Sequence, residues 1–467
     1  MSELHLAWAT AGVRWSLRES MRTLAENALE HGYLPGLLLT CDSESPSERE
    51  RASAALESNA KALCLHGDIS GRGERFGFLE SSPPNFDEDV LEHALLGDSE
   101  LRHLGLVGTN RNATLLATAG ELAIMSDDDI YARPGRIRQE THSEPQYSSS
   151  AFPGQVLTFP DRNSLLEAVQ PVTLDIVGAH LALLGCSFSE NVVVTTTGSY
   201  GDAGTGSARS FLVLDDERRW AYYADQETYE KLKLSRETVR IPDRTYFGPG
   251  RHLMAMNIGV DNNDVRPPFF PVGRGSDTLF SLLARILHPG SLTGFLDFGL
   301  LHQPDERRVN SLEELVQMRP SVADLVTALL ITLVPDKDMA EPETRYQVLG
   351  RRLVNLASSP LSDLALFVHA GWSKAVVKYV EHLEGLIDRY NGEPEYWRRD
   401  VELHLDRLRE ALREPTSIFG EKGCGLSPEK FAEQTKLFGR LLMCWPELWE
   451  WARGDPERRR GLVSPVT

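Results

Sequence analysis

Apolar and polar positions alternate with two different periods along the first 130 residues. Short apolar runs at LHLAWAT (4–10), PGLLLTCDSESP (35–46) and ELAIMSDDD (121–129) have the length of buried strands. Between them, apolar residues recur every three or four positions. In WSLRESMRTLAENALEHG (15–32), Leu17, Met21, Leu24 and Leu29 define one helical face and Gly32 a stop. SERERASAALESNAKAL (47–63) and GTNRNATLLATAG (108–120) read as further helices, and KALCLHGD (61–68) as a third strand. Strand and helix in alternation predict an α/β fold, with a mostly parallel central sheet flanked by helices. Ligands of such sheets bind beyond the carboxyl ends of the strands.

The pattern then changes twice. Residues 132–162, with QETHSEPQYSSSAFPGQ at their centre, are polar and rich in turn formers, which predicts a mobile loop. SLLEAVQPVTLDIVGAHLALLG (164–185) reads as helical in large part, and NVVVTTTGSYGDAGTG (191–206) as a β-branched strand entering a glycine-rich loop. From 311 onward helical periodicity dominates. The expected organisation is an α/β domain over 1–310, with a nucleotide-binding half (1–131) and an acceptor half (163–310), followed by a helical region over 311–467. The end, PERRRGLVSPVT, is expected to fray. VADLVTALLITLV (322–334) is too short to span a bilayer and contains Asp324, so it reads as a buried helix.

Charge narrows the partners. Lys and Arg number 49 against 68 Asp and Glu, a net charge of −19, which disfavours nucleic acid as the main partner. The N-terminal segment has no apolar stretch of the signal-peptide kind. The five cysteines are scattered, with no CxxC pair, which predicts a reduced, cytoplasmic protein without a zinc site.

The candidate chemistry starts at Asp127, Asp128 and Asp129, where an apolar strand runs into three adjacent carboxylates. Hard oxygen ligands suit Mg2+ or Mn2+, and such an ion would relieve the repulsion and bridge to a diphosphate. The plain alternative is a solvated acidic turn. TTTGSYGDAGTGSARS (195–210) lacks the GK[ST] of a phosphate-binding loop.

Three pieces of the chain together resemble the nucleotide-sugar-binding half of family 2 glycosyltransferases, which have the Rossmann-like GT-A fold. WATAGVRWSLRESMRTLAENA resembles the family's first strand and helix, with Thr10 and Arg14 near the donor. LLLTCDSESP resembles the second strand, whose acid, here Asp42, contacts the base of the donor nucleotide. GTNRNATLLATAGELAIMSDDD resembles the family's G-x-x-RN…A-x-G…DDD pattern. It implies that Arg111 and Asn112 lie near the donor, that Asp127 and Asp128 bind it, and that Asp127 and Asp129 hold the metal. The opening departs from the family pattern, because Ala11, Gly12 and Val13 separate Thr10 from Arg14.

The resemblance also implies a downstream base and a late metal-binding histidine. GRGSD (273–277) looks like the family's acidic acceptor-site motif with Ser276 in place of the first acid. Asp277 is then the base candidate, or only the cap of the helix that follows; Asp202 is the alternative base. His302, after LDFGLL, is the candidate third metal ligand. The implied activity is inverting, metal-dependent transfer from a nucleotide-diphosphate sugar, a UDP-sugar first, to a peptide, protein, glycan or small molecule. A nucleotidyltransferase or a catalytically inactive donor-binding protein are the alternatives. The helical region is a candidate dimer surface, and RPPFFP, Trp372, Trp397 and Trp449 are aromatics that could line an acceptor groove or fill the core.

Overall fold

The computed structural model describes residues 4–12, 14–82, 86–137, 144–150, 152–185, 191–202, 211–250, 253–254, 256–306, 308–313, 319–335 and 341–466. Its strands are β1 (Leu4–Thr10), β2 (Gly36–Cys41), β3 (Gly67–Ser70), β4 (Glu121–Asp127), β5 (Ile130–Ile137), β6 (Gln146–Tyr147), β7 (Gln155–Thr158), β8 (Val169–Pro171), β9 (Val192–Asp202), β10 (Glu237–Ile241), β11 (Tyr246–Gly248), β12 (Asn257–Asn262), β13 (Leu292–His302) and β14 (Ser464–Pro465). The central path runs β3-β2-β1-β4-β12-β9-β13. β3, β2, β1 and β4 are parallel neighbours, β12 is antiparallel to both β4 and β9, and β9 is parallel to β13. Every strand of that path except β12 therefore points the same way, which is the mostly parallel sheet the alternation predicts.

The helices of the first half are α1 (Trp15–Glu30), α2 (Pro46–Leu63), α3 (Arg72–Ser81), α4 (Glu88–Leu95) and α5 (Val107–Ala117). α1 buries Leu17, Met21, Leu24, Ala25 and Ala28. It stops where expected. Gly32 adopts φ +84, and the amide of Tyr33 reaches back to the carbonyl of Ala28 at 3.0 Å.

Side chains alternate across the strands, and both faces are covered. Leu6 and Trp8 of β1, Leu37 and Leu39 of β2 and Ile124 of β4 enter one apolar cluster with α1 and α2. Ala7, Leu38, Ala123 and Met125 enter another, built with α4, α5 and the helices after residue 320. The second cluster is continuous from Ala7 to Leu462, so one core crosses the expected boundary at 310. The helix Pro428–Arg453 anchors it: the Trp445 and Trp449 indoles donate to the Arg266 carbonyl (2.6 Å) and the Asn262 side chain (3.1 Å). Trp372, Trp397, Trp449, Phe269 and Phe270 are all core residues, so none lines an open groove.

A buried ion pair makes a second tie. Lys233, on the helix Gln226–Leu234, lies 2.7 Å from Asp400 on the helix Glu395–Arg413, and both side chains are nearly inaccessible. Tyr229 donates to the same carboxylate oxygen at 3.0 Å.

Three expectations change. Residues 132–162 are not one loop: β5 continues to Ile137, and β6 and β7 join the sheet, while 138–143 and 151 lie outside the described residues. These strands are short and polar because they sit at the periphery of the sheet, where alternation carries little signal. The stretch 164–185 is two helices, Arg162–Ala168 and Ile176–Leu184, separated by β8, whose Pro171 bars a continuous helix. The final segment does not fray: a short helix, Pro456–Arg460, leads into β14, which pairs with β3. Residues 203–210 of the expected glycine-rich loop, and Cys186, fall outside the described residues. Val322–Thr332 is a buried helix, as its pattern indicates, and no helix among the described residues is long and apolar enough to cross a membrane.

Candidate active site

Sheet register brings the chemistry to one edge. Ala9 of β1 lies beside Asp127 of β4, so Thr10 and the aspartates leave adjacent strands at the same level. Asp128 and Asp129 form the turn into β5. β5 does not pair back onto β4. It crosses to β13, where Ile130 faces His302 and the Gln303 amide donates to the Asp129 carbonyl at 2.9 Å. His302 also lies opposite Gly201 of β9, next to Asp202.

Each aspartate has its own partner. Asp127 accepts from Arg111 Nη2 at 3.0 Å, Asp128 lies 2.6 Å from the Thr10 hydroxyl, and Asp129 lies 3.1 Å from His302 Nε2 with Arg308 3.7 Å away on its other oxygen. Burial pushes the Asp128 carboxyl up to about 7, reinforced by the Asp129 charge. Burial also lifts Asp127 to about 6 against the pull of Arg111. Asp129 goes the other way: burial resists its ionisation, but the hydrogen bond and charge of His302 and the charge of Arg308 hold it below the usual range. Burial opposes charging His302, and contact with Asp129 outweighs it, so the imidazole is raised.

This pattern has a stability cost with a definite sign. A carboxyl raised from the unfolded value of about 4 to about 7 contributes no penalty in acid, where both states are protonated. The penalty grows between pH 4 and pH 7 as the unfolded chain ionises first, reaching about 4 kcal/mol for Asp128. Asp128→Asn is therefore expected to stabilise the ligand-free protein by roughly 2–4 kcal/mol at pH 8 and to leave it unchanged at pH 4. Urea midpoints at the two pH values check this; an equal effect at both would dismiss the cluster as a source of strain.

Arg111 joins Asp127 to Ser276, which lies 165 positions from Arg111 along the chain. Its Nη1 lies 3.5 Å from Ser276 Oγ while Nη2 holds Asp127, and its guanidinium lies over the Phe269 ring, 5.4 Å from the centroid. GRGSD thus lies against DDD. The helix Ser276–Leu287 starts there because Gly275 takes φ +89, a conformation costly for other residues. Asp277 occupies its first turn, half-exposed, accepting from the Thr278 amide at 2.9 Å. Asp202 is buried and bound to Arg236 Nε at 2.6 Å, so its charge is already matched.

Asp42 ends β2 in a nest of arginines. Arg72 and Arg102 each approach a carboxylate oxygen at 3.5 Å. Arg75, fully buried, bonds to Asn110, whose amide in turn donates to the Thr10 carbonyl at 3.2 Å. Burial raises the Asp42 carboxyl against the three guanidinium charges. Arg14 precedes α1 as an exposed cation whose charge acts on Asp128 and Asp129.

Asn112, expected near the donor, has a structural role instead. Its fully buried amide donates to Ala94 (3.1 Å) and Phe269 (3.0 Å) and accepts from the Phe269 amide at 2.7 Å, clamping α5 to α4 and the RPPFFP segment. Gly108 serves the same contact, since a Cβ there would lie 2.1 Å from the Phe270 carbonyl oxygen. Sequence reasoning did not find Arg72, Arg102, Asp305 or Arg308. Charged residues in polar loops carry no period that points inward. For Asp305 and Arg308, the short distance along the chain from His302 was the available signal.

Among the described residues no group of three or more His, Cys, Asp and Glu side chains is set to hold a metal ion. Asp127 faces Arg111, and Asp129 and His302 face each other. These last two still suit a divalent ion, because Mg2+ takes one or two carboxylates and completes its shell with water and substrate phosphates. The buried His302 Nδ1 has no hydrogen-bond partner, so the ring is held only from its Nε2 side.

No protein-family model and no curated protein sequence matches the chain. Two crystal structures of Staphylococcus aureus TarS are similar to it. One, of residues 1–349, is 13% identical with a TM-score of 0.29, over 88% of this chain and 91% of that one. The other, also 13% identical, has a TM-score of 0.32 and covers 88% of this chain and 55% of that one. Likeness at this level decides nothing about activity; what can be said of function comes from the sheet order and the side chains gathered at its edge.

Proposed function

We propose that the protein is an inverting glycosyltransferase that moves a sugar from a nucleotide-diphosphate donor, a UDP-sugar as first candidate, to a hydroxyl-bearing acceptor. The observation that carries this reading is the Arg111 bridge, which puts DDD and GRGSD side by side beyond the carboxyl ends of the strands. In this reading Asp42 receives the donor base, Thr10 and Asp127 flank its ribose, and the exposed Arg14 is the cation offered to the diphosphate. In the transfer, the acceptor oxygen bonds to the anomeric carbon as the bond to the diphosphate breaks. The acceptor proton passes to Asp277, the base we favour because the Asp202 charge is already matched by Arg236. Negative charge grows on the leaving diphosphate, where fixed cations stabilise the transition state most. A bound Mn2+ or Mg2+ would add Lewis-acid stabilisation there, and Asp129 and His302 are the residues that would hold it.

The test is to incubate the protein with UDP-, GDP- and TDP-sugars, with and without manganese, and follow nucleotide release. No binding and no turnover with any of them sinks the proposal, and pyrophosphate release from a nucleoside triphosphate would favour nucleotidyl transfer. Asp129→Ala is expected to weaken manganese-dependent UDP binding on the order of 100-fold, the scale of losing a metal-site contact. Calorimetric titration with and without the metal reads this directly. Equal weakening in both titrations would remove Asp129 from the metal assignment.

A further inference from the structure

Trp15 is an anomaly. Tryptophan in a folded protein is highly buried on average, yet Trp15 is 74% exposed at the start of α1. It is not loosely placed. Its amide and that of Ser16 donate to the two carboxylate oxygens of Asp305, at 2.6 and 2.8 Å, and this fixes the first turn of the helix. Trp15 lines a surface cleft of about 560 Å3 with Glu19, Tyr131, Arg133, Gln303 and Asp305. Three of these are already organised: Arg133 pairs with Glu19 at 3.2 Å and lies over the Tyr131 ring at 5.5 Å.

The cleft adjoins the site just described. Tyr131 is paired with Leu301, next to His302, and Gln303 is joined through its amide to Asp129. Trp15 follows Arg14 directly. The wall therefore combines an exposed aromatic plate, two carboxylates that accept hydrogen bonds, an amide that donates and accepts, and a guanidinium that donates. This mixture fits a ring with C–H bonds on its face and hydroxyls at its rim. An extended peptide is read by a run of apolar pockets, whereas most of this lining is charged or polar.

We propose that this cleft is the acceptor subsite and that its ligand is a saccharide, stacked on Trp15 with its hydroxyls bonded to Glu19, Gln303 and Arg133. The inference rests on the glycosyltransferase reading and narrows it from any acceptor to a carbohydrate.

The experiment uses the full chain and a defined probe set: neutral mono- and oligosaccharides without a nucleotide, observed by saturation-transfer NMR. At least one is expected to bind, with affinity reduced at least about tenfold in Trp15→Ala and largely restored in Trp15→Phe, which keeps a plate. UDP binding and acceptor-independent hydrolysis of the donor should be the same in all three proteins. Saccharide binding unaffected by Trp15→Ala, or no binding by any member of the set, overturns the proposal. Donor hydrolysis keeps the two claims apart. If it persists while the Trp15 result fails, only the acceptor assignment falls; if no nucleotide sugar binds at all, the glycosyltransferase reading falls first. A Trp15→Glu variant guards against loss of the helix start: its circular dichroism should match the parent while saccharide binding is lost.

Discussion

Asp277→Asn is expected to slow sugar transfer by about 10²–10⁴-fold, the usual contribution of a general base, with donor affinity unchanged. The amide keeps the size of the carboxyl and can still accept from the Thr278 amide, so the helix start should survive. What it loses is the ability to take the acceptor proton. A residue that merely capped the helix would show the opposite profile: a small change in stability, about 1 kcal/mol, and normal transfer. Measuring kcat with a saturating acceptor together with the denaturation midpoint separates the two. Asp202→Asn is the control. If it alone abolishes transfer while the protein stays folded, the base is Asp202, and the Arg236 pair positions it instead of neutralising it.

The largest stability effect is expected far from the chemistry. Asp400→Ala should cost about 3–5 kcal/mol, because it takes from the buried Lys233 its one buried counter-charge among the described residues and removes the acceptor of the Tyr229 hydroxyl. Glu230, 2.7 Å from Lys233 on the same helix, can absorb part of that loss, which places the lower end of the range first. Replacing both members, Lys233→Met with Asp400→Leu, should return most of the stability, since an apolar pair of similar volume avoids desolvating two ions. Urea midpoints at constant m-value give both numbers. A double variant as unstable as the single one would mean that the pair is needed for packing at this junction and not only for charge balance.

Much of the first 131 residues is legible in the chain because its signals are local. β1, α1, β2, α5 and β4 each carry a complete period, and Gly32 and Gly120 mark stops by adopting positive φ. Asp127 to Asp129 could be placed at a strand end by counting from ELAIM. That His302 lies against Asp129, and Ser276 reaches Asp127 through Arg111, could be anticipated only from the family resemblance, because contacts between residues so far apart along the chain leave no periodic trace. Asn112 shows the limit of such carry-over. Its place in the motif suggested a ligand contact, but its buried amide spends its hydrogen bonds on the backbone of α4 and the Phe269 segment. The outer strands β5 to β7 are hard to read for a different reason. β5 is interrupted by Pro134 and Gly135, and β6 and β7 have only two and four residues, so composition makes 132–162 resemble loop.

The single core running from Ala7 to Leu462 bears on how this molecule could be altered. An enzyme whose helical region is an independent unit can exchange it like a cassette and acquire a new acceptor by fusion. Here the helix Pro428–Arg453 packs against α4 and α5, the layer next to the sheet, and is bonded to β12 and its loop through two indoles. Removing or grafting it would uncover α4 and α5, and α5 is the helix that packs on β1 and β2. If the cleft beside Trp15 receives an acceptor, selectivity there would change by substitution along the cleft, one side chain at a time, and not by exchange of whole segments.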